Sequence, residues 1–285
     1  MTVCPRGPTM RCIPAGHVGA CPTRSAATQK GSVYRIMDQT QMHSLTRQYA
    51  VQTANMDLTS SWKPSSLMEA LQETAAQNSD LLGCGRLRLL EDGIVWVVLR
   101  MEVFMDRYPR LGESVSVLTY PKKPRHGMYP RYFVLTDEHE ETIGRASSLW
   151  ALLDLQTRKS IQSPRVMACI PDNPELAPCL PSLPPVVQVL DAEPEIGEHL
   201  PVYTDLDANT HVNNVRYIDW CCNALGIETM KDCALGHFVI NFNREIVPGQ
   251  TIRTEMRRDH GQFTFSGLEG DVRHFDIAGD LRPRI

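Results

Sequence analysis

The chain has 285 residues, of which 42% are hydrophobic and 22% charged, and its formal net charge is −4. This balance is that of a globular protein with a sizeable core, and it excludes a disordered chain. No run approaches the roughly 20 consecutive apolar residues of a membrane span, and a net acidic body disfavours nucleic acid as a partner. We therefore expect a soluble protein with neither a membrane span nor a nucleic-acid partner.

Residues 1–43 are expected to form an unstructured extension that belongs to no core. The first 36 residues carry five Lys or Arg side chains and no acidic one, and they lack the apolar region of a secretion signal. Three interpretations are open: an organelle transit peptide, a small metal site, or an upstream region translated from a start placed too early. Met37 stands just before the first patterned segment and favours the third interpretation. The candidate metal ligands, whose spacing matches no usual zinc site, are Cys4, Cys12, His17 and Cys21.

The nine cysteines form no C-x-x-C pair, and their odd number and irregular spacing argue against a disulfide framework. They are expected to be reduced thiols in a cytoplasmic protein.

A first structural unit is predicted over residues 44–166. An extended segment at 49–56 precedes a helix at 64–82, which the pattern of Ser66 and Glu69 marks with a capping box and Gly83 ends. The segment 94–105 alternates so strictly that one face is wholly apolar, as in a strand. Further strands are predicted at 113–119, 132–136 and 147–154. Strand, long helix and then antiparallel strands predict an α+β unit in which a sheet wraps one helix.

A second unit, over residues 198–285, repeats this order in shorter form. Its helix is predicted at 213–225, and its strands at 237–243, 251–257 and 262–266. The proline-rich segment 167–197 between the units reads as a stiff linker. An internal duplication of one fold therefore accounts for the length of the chain.

The segment 205–220, with the sequence DLDANTHVNNVRYIDW, is unusually polar for a junction between a strand and a helix. Asp207, Asn209 and His211 occupy alternate positions, so an extended backbone would turn all three side chains to one side. Asn213 or Asn214 then suits the cap of the following helix, whose free amides favour negative charge. A carboxylate, an amide and an imidazole are thus predicted to meet at a helix end that can stabilise an oxyanion.

The run D-L-D-x-N-x-H-V-N-N-x-x-Y within this segment resembles the signature of the acyl-acyl-carrier-protein thioesterases of plant plastids and bacteria. The resemblance extends over nearly all of the chain from Ser44 onward, and the length without the extension is similar to the bacterial branch. It implies a tandem double hotdog fold, with antiparallel sheets each wrapping a long central helix. It also implies that the first unit holds the acyl chain and that the second carries the catalytic residues.

Carried over by position, the resemblance places the catalytic Asp, Asn and His on Asp207, Asn209 and His211, and a later Glu on Glu245. A relative of this family has a Cys directly after that Glu, where this chain has Ile246. An apolar side chain cannot attack a thioester, so water is the expected nucleophile. Either Glu245 or Asp207 is a candidate for the base that deprotonates it, and the sequence leaves this choice open.

Two further groups are candidate substrate-binding residues. Apolar residues of the first unit are expected to form the wall of an acyl-chain tunnel, with plain core packing as the alternative: Leu67, Met68, Leu71, Met101 and Met105. A basic loop is expected either to dock the acidic carrier protein or its phosphopantetheine phosphate, or simply to be solvated: Lys122, Lys123, Arg125, His126 and Arg131.

The expected activity is hydrolysis of fatty acyl-acyl-carrier-protein thioesters to a free fatty acid and the carrier thiol, which ends chain elongation. No cofactor and no metal are expected, the partners are the acyl carrier protein and the fatty acyl chain, and the protein is expected to be a monomer or a homodimer. The alternatives are an acyl-coenzyme A thioesterase and a non-catalytic hotdog protein that binds acyl ligands.

Overall fold

The computed structural model describes residues 43–284, and the interpretations of the N-terminal extension lie outside this range. The first half contains six strands and three helices. Its strands are β1 (Leu45–Ala50), β2 (Ile94–Met105), β3 (Ser114–Pro121), β4 (Met128–Thr136), β5 (Thr142–Asp154) and the short β6 (Ser160–Ile161). Its helices are α1 (Pro64–Leu81), α2 (Arg86–Glu91) and α3 (Pro164–Cys169).

The second half repeats the arrangement with one long helix and one short one. Its strands are β7 (Glu195–His199), β8 (Cys233–Phe242), β9 (Ile252–Asp259), β10 (Gln262–Glu269) and β11 (Val272–Pro283). Its helices are α4 (Arg216–Leu225) and α5 (Ile227–Asp232). Residues 170–194 between the halves form no regular element.

All but β6 follow one another in a single sheet, in the order β1-β3-β4-β5-β2-β8-β11-β10-β9-β7, and β6 pairs with β5. The order on one side of the centre mirrors the order on the other, with β1 matching β7, β2 matching β8 and β5 matching β11. The halves join where β2 pairs with β8 antiparallel, from Arg100 opposite Asn241 to Phe104 opposite His237. This symmetry confirms the predicted tandem hotdog fold, in which each half wraps its sheet around one helix.

Helix α1 begins at Pro64, as predicted, but its N-cap is Lys63 and the capping box predicted at Ser66 does not form. Proline suits the first helical position because it has no N–H to leave unbonded and has φ preset for a helix. The end of the helix is as predicted: Gly83 follows with φ 75°, a left-handed conformation that glycine adopts without steric cost.

Helix α4 starts three residues later than predicted. Asn213 does bind the free amides of the helix start, but it does so through a preceding turn. Its side-chain oxygen accepts the Val215 amide at 3.1 Å, and its carbonyl accepts the Arg216 amide at 2.8 Å.

The two helices and the concave face of the sheet share one hydrophobic core that runs through both halves. On α1 the stripe of Leu67, Leu71 and Ala75 faces this core, and on α4 the buried residues include Ile218 and Leu225. Among residues 43–284, none of the helices combines the length and hydrophobicity needed to span a membrane.

Candidate active site

The loop that carries Asp207, Asn209 and His211 is a tight turn and not the extended segment that the alternation predicts. The Asp207 amide donates to the His211 carbonyl at 2.8 Å, and the Thr210 amide donates to the Asp207 carbonyl at 3.0 Å. Thr210 has φ 60°, which closes the turn in the left-handed region. The alternation of polar residues here reflects a turn, and local side-chain bonds replace a strand ladder.

The carboxylate of Asp207 is the centre of this turn. One of its oxygens accepts the backbone amides of Asn209 at 2.8 Å and His211 at 3.2 Å, and the other accepts the Asn209 side-chain amide at 3.1 Å. Both oxygens are therefore occupied by donors that hold the loop together. A carboxylate in this position is poorly placed to take a proton from water.

The first half contains the same turn and supports this interpretation. The Asp57 amide donates to the Ser61 carbonyl at 2.8 Å, and the Asp57 carboxylate accepts the amides of Thr59 at 2.8 Å and Ser61 at 3.2 Å. Ser60 has φ 61°, matching Thr210. The aspartate is thus a turn former in both halves, and the second half differs by placing an amide and an imidazole where the first has Thr59 and Ser61.

Glu245 comes within reach of His211 from a different part of the second half. The Nδ1 atom of His211 lies 3.6 Å from Oε1 of Glu245, and Arg158 of the first half forms an ion pair with the other carboxylate oxygen. The side chain of Glu245 is 38% exposed, and that of His211 is 27% exposed. Glu245 is therefore the carboxylate that stands free to contact water beside the imidazole.

The segment that carries Glu245 is held to the loop by two buried contacts. The imidazole of His274, which is 1% exposed, donates from Nδ1 to the Glu245 carbonyl at 2.9 Å. The Val212 amide donates to the carbonyl of the buried Ile246 at 2.9 Å. Ile246 packs in the core, so its position cannot supply a nucleophile.

The two cysteines of helix α4 are also unsuited to attack. On α4 Cys221 is buried and Cys222 is half-buried, and desolvation raises the pKa of the Cys222 thiol to about 12 and that of Cys221 well above its ordinary value. Both are neutral at physiological pH. Within the described part of the chain, no group of three or more His, Cys, Asp or Glu side chains is arranged to hold a metal ion.

A cavity of about 230 Å³ opens beside the loop and extends into the first half. Asp207, Asn209, Asn213 and Asn214 border it on the side of the loop. Its opposite walls come from α1, β2, β4 and β5, and include Gln72, Ala76, Ser79, Trp96, Tyr129 and Trp150. The polar loop therefore meets a largely apolar space that is built by the other half of the chain.

The five residues predicted to line the acyl tunnel do not border this cavity. Leu67, Met68, Leu71, Met101 and Met105 are all buried in the shared core. The α1 residues that line the cavity include Gln72, Ala76 and Ser79. They are spaced four and three residues apart, so they lie on one face of the helix, next to the core stripe. The hydrophobic pattern selects the core stripe of a helix, whereas the cavity stripe consists of small and polar residues.

The basic loop lies in the turn between β3 and β4, and its residues have different environments. Lys122 donates from Nζ to the carbonyls of Asn173 at 2.5 Å and Asp172 at 3.2 Å, in the segment that joins the halves. Lys123 and Arg125 are exposed to solvent. Arg131 does not belong to this loop, because its side chain is buried on β4.

Two arginines of the first half reach the site and were not identified from the sequence. Arg86 donates to the Asn209 side-chain oxygen at 3.0 Å, and Arg158 pairs with Glu245. The side-chain nitrogen of Asn209 donates a hydrogen bond to Asp207, and its side-chain oxygen accepts one from Arg86. These two bonds together fix the orientation of the Asn209 amide. His274 was also missed, and no local pattern distinguishes it.

Comparison with known proteins agrees with this architecture. Residues 42–167 match the model of the acyl-ACP thioesterase N-terminal domain, and residues 190–274 match that of the C-terminal domain. A palmitoyl-acyl carrier protein thioesterase of Gossypium hirsutum is 29% identical over 191 residues, covering 63% of this chain and 46% of that protein. An oleoyl-acyl carrier protein thioesterase of Arabidopsis thaliana is 26% identical, covering 91% of this chain and 81% of that protein.

The chain spans about half the length of the palmitoyl-acyl carrier protein thioesterases that it matches. Among solved structures, an acyl-ACP thioesterase from Bacteroides thetaiotaomicron superposes with a TM-score of 0.77 at 23% identity, covering 86% of this chain and all of that one. This likeness establishes the shared fold. Together the two domain matches span most of the described residues, and the chain belongs to the acyl-ACP thioesterase family.

Proposed function

We propose that this chain hydrolyses fatty acyl-acyl-carrier-protein thioesters to a free fatty acid and the carrier thiol. The observation that carries the proposal is the His211 and Glu245 pair, which adjoins a loop whose Asp207 and Asn209 border the cavity, although neither His211 nor Glu245 lines the cavity itself. A thioester carbonyl between the pair and the cavity would have its acyl chain in the apolar space and its thiol side toward solvent. Family membership supports the same reaction.

In the proposed mechanism Glu245 is the base that takes a proton from water, and His211 orients that water. The 3.6 Å between His211 Nδ1 and Glu245 Oε1 is longer than a hydrogen bond, as is usual for catalytic groups without bound substrate. Arg158 holds the second carboxylate oxygen, so the first is directed toward the imidazole. Asp207 takes no proton and keeps the turn in shape.

Water attacks the carbonyl carbon, and the negative charge that develops on the carbonyl oxygen needs hydrogen-bond donors. Asn209 retains one side-chain N–H beyond the one given to Asp207, and Asn214 borders the same cavity. One such donor contributes about 3–4 kcal/mol in hydrolases. The C–S bond then breaks, and the departing thiol, with an ordinary pKa of about 8.5, needs little help from an acid.

The carrier is proposed to be an acyl carrier protein, since Lys123 and Arg125 present an exposed basic surface that suits an acidic partner. Compartment and assembly are part of the proposal as well: a cytoplasmic protein, either a monomer or a homodimer. The six cysteines among residues 43–284 are free thiols, which fits a reducing compartment.

The test measures kcat and kcat/KM for hydrolysis of one acyl group carried either by the carrier protein or by coenzyme A. The unmodified protein is compared with two matched variants. His211→Ala removes the imidazole, whereas Ser61→Ala alters the equivalent turn position of the first half. We expect His211→Ala to lower kcat by at least 100-fold, within the range for acid–base catalysis, and Ser61→Ala to leave it within about threefold. Equal effects of the two variants would contradict the proposed site.

The same measurement decides between the alternatives. A higher kcat/KM on the carrier protein supports the proposal, and similar values on both carriers favour an acyl-coenzyme A thioesterase. Binding of acyl thioesters with no turnover favours a non-catalytic ligand-binding protein.

A further inference from the structure

Arg131 on β4 is a buried cation without a carboxylate partner among residues 43–284. Only 6% of its surface is exposed, and the ion pairs of the described residues do not include it. Buried charges in proteins are nearly always paired, because removing an ion from water is costly. Burial lowers the pKa of Arg131 to about 10, so it remains a cation at neutral pH.

The hydrogen bonds of its side chain within the described residues all go to neutral oxygens. Nη1 donates to Asn78 Oδ1 at 2.8 Å and to Thr119 Oγ1 at 3.2 Å, and Nη2 donates to Ser79 Oγ at 3.3 Å. These bonds use three of the five N–H groups of a guanidinium, which leaves the Nε–H and one Nη2–H. The Nδ2 atom of Asn78 is buried beside them and has no partner in the described residues.

This group stands in the wall of the cavity that begins at the catalytic loop. Arg131 and Ser79 of the first half and Asp207 and Asn209 of the second half all border the cavity. An acyl chain that fills the space from the loop inward therefore runs toward a positive charge. A purely alkyl chain would displace water from that charge and give it no acceptor in return, which disfavours binding.

We propose that the cavity accepts acyl chains that carry an acceptor oxygen on the part remote from the thioester, with Arg131 as the specificity-determining residue. A carboxylate is the preferred group, because it would compensate the guanidinium charge and accept two parallel N–H bonds. A hydroxyl or keto oxygen would use the same donors more weakly. This inference rests on the proposed function and narrows its substrate class.

The competing explanation is that Arg131 only ties α1 to the sheet through Asn78 and Ser79. Two variants separate these roles. Arg131→Met removes the charge and the tie together. Asn78→Asp keeps an acceptor opposite Nη1 and adds a carboxylate, so it preserves the tie while neutralising the guanidinium internally.

The readout is equilibrium binding, so that it does not depend on turnover. Non-hydrolysable acyl analogues of one length, in which CH₂ replaces the thioester sulfur, end in a methyl, a hydroxyl or a carboxylate, and their dissociation constants are measured by calorimetry. For the unmodified chain we expect the carboxylate analogue to bind roughly 10- to 100-fold more tightly than the methyl one, the range for hydrogen bonds to a charged group. We expect both variants to lose this preference.

Two results would overturn the proposal: no preference in the unmodified chain, or a preference that survives in Asn78→Asp. Should Arg131→Met fail to fold, the folded Asn78→Asp variant decides alone. The experiment is independent of the hydrolysis assay, so absent turnover together with a carboxylate preference would refute the proposed reaction and keep the binding site.

Discussion

Glu245→Gln is the sharpest test of the catalytic arrangement, because it removes one charge and almost no volume. The glutamine amide still reaches Arg158 or His211 with one polar atom, but it cannot accept a proton from water. Glu245 pairs with Arg158 through Oε2 and turns Oε1 toward His211, whereas both oxygens of Asp207 are held by donors of their own turn. The substitution therefore removes the proposed base and leaves the turn intact.

The structure predicts a large effect on rate and a small one on stability. A general base contributes about 100- to 10,000-fold, which is about 3–5 kcal/mol of activation free energy. The ion pair with Arg158 is half exposed on one side and 38% exposed on the other, and surface pairs of this kind contribute about 0–1 kcal/mol to folding. The increase in activation free energy should therefore exceed any decrease in the free energy of unfolding by several kcal/mol.

The assay follows release of the carrier thiol with a chromogenic thiol reagent, alongside thermal unfolding of each variant. Glu91→Gln is the matched control, because Glu91 also pairs with an arginine, Arg88, and both side chains are more than half exposed. We expect kcat to fall by at least 100-fold in Glu245→Gln and to stay within about twofold in the control. If Glu245→Gln keeps kcat within about threefold at an unchanged Tm, then Glu245 is not the base.

Three further predictions concern the surface, the fold and pH. Charge reversal of Lys123 and Arg125 to Glu should raise KM for the carrier-linked substrate by about tenfold and spare a small thioester; equal effects on both substrates would argue against docking. Asp205→Ala should cost about 2–3 kcal/mol in urea unfolding, because the carboxylate accepts the Val202 amide at 2.9 Å and Trp220 Nε1 at 3.4 Å from inside the fold; a loss below about 0.5 kcal/mol would contradict this. Desolvation raises the pKa of Cys222 from 9.0 to about 12 in the folded protein. The contribution of the neutral thiol to the free energy of unfolding is therefore complete below about pH 9 and is lost as the pH rises toward 12. The stability of Cys222→Ala should therefore fall less steeply over that range, by up to about 1.4 kcal/mol per pH unit, and identical slopes would exclude a buried thiol.

The parts of the fold that depend on local pattern could be predicted from the sequence. Helix α1 and strand β2 were recognised because their apolar residues recur at the spacing of a helix and of a strand, and the repeated element order indicated a duplication. The strand β11 was missed. It holds His274, Asp276 and Asp280, and this mixture of charged and apolar residues masks the alternation.

The parts of the site that depend on distant contacts could not be predicted. Arg86 meets Asn209 across 123 residues of sequence, and Arg158 meets Glu245 across 87. The local turn at Asp207 was misread for another reason. Alternating polar residues fit a strand as well as a turn closed by side-chain bonds, and only the left-handed backbone at Thr210 separates the two.

Both halves fold the same aspartate turn ahead of their long helix, and this identity has an evolutionary meaning. In the first half the second oxygen of Asp57 pairs at 2.7 Å with Arg284, near the end of the described chain, so the equivalent corner is closed by an ion pair. The backbone thus offers two equivalent turns, and point substitutions within them decide which side chains each presents. Under the proposed function, duplication leaves the half without the His and Asn free to diverge into the wall of the acyl cavity, with no change to the scaffold that both halves share.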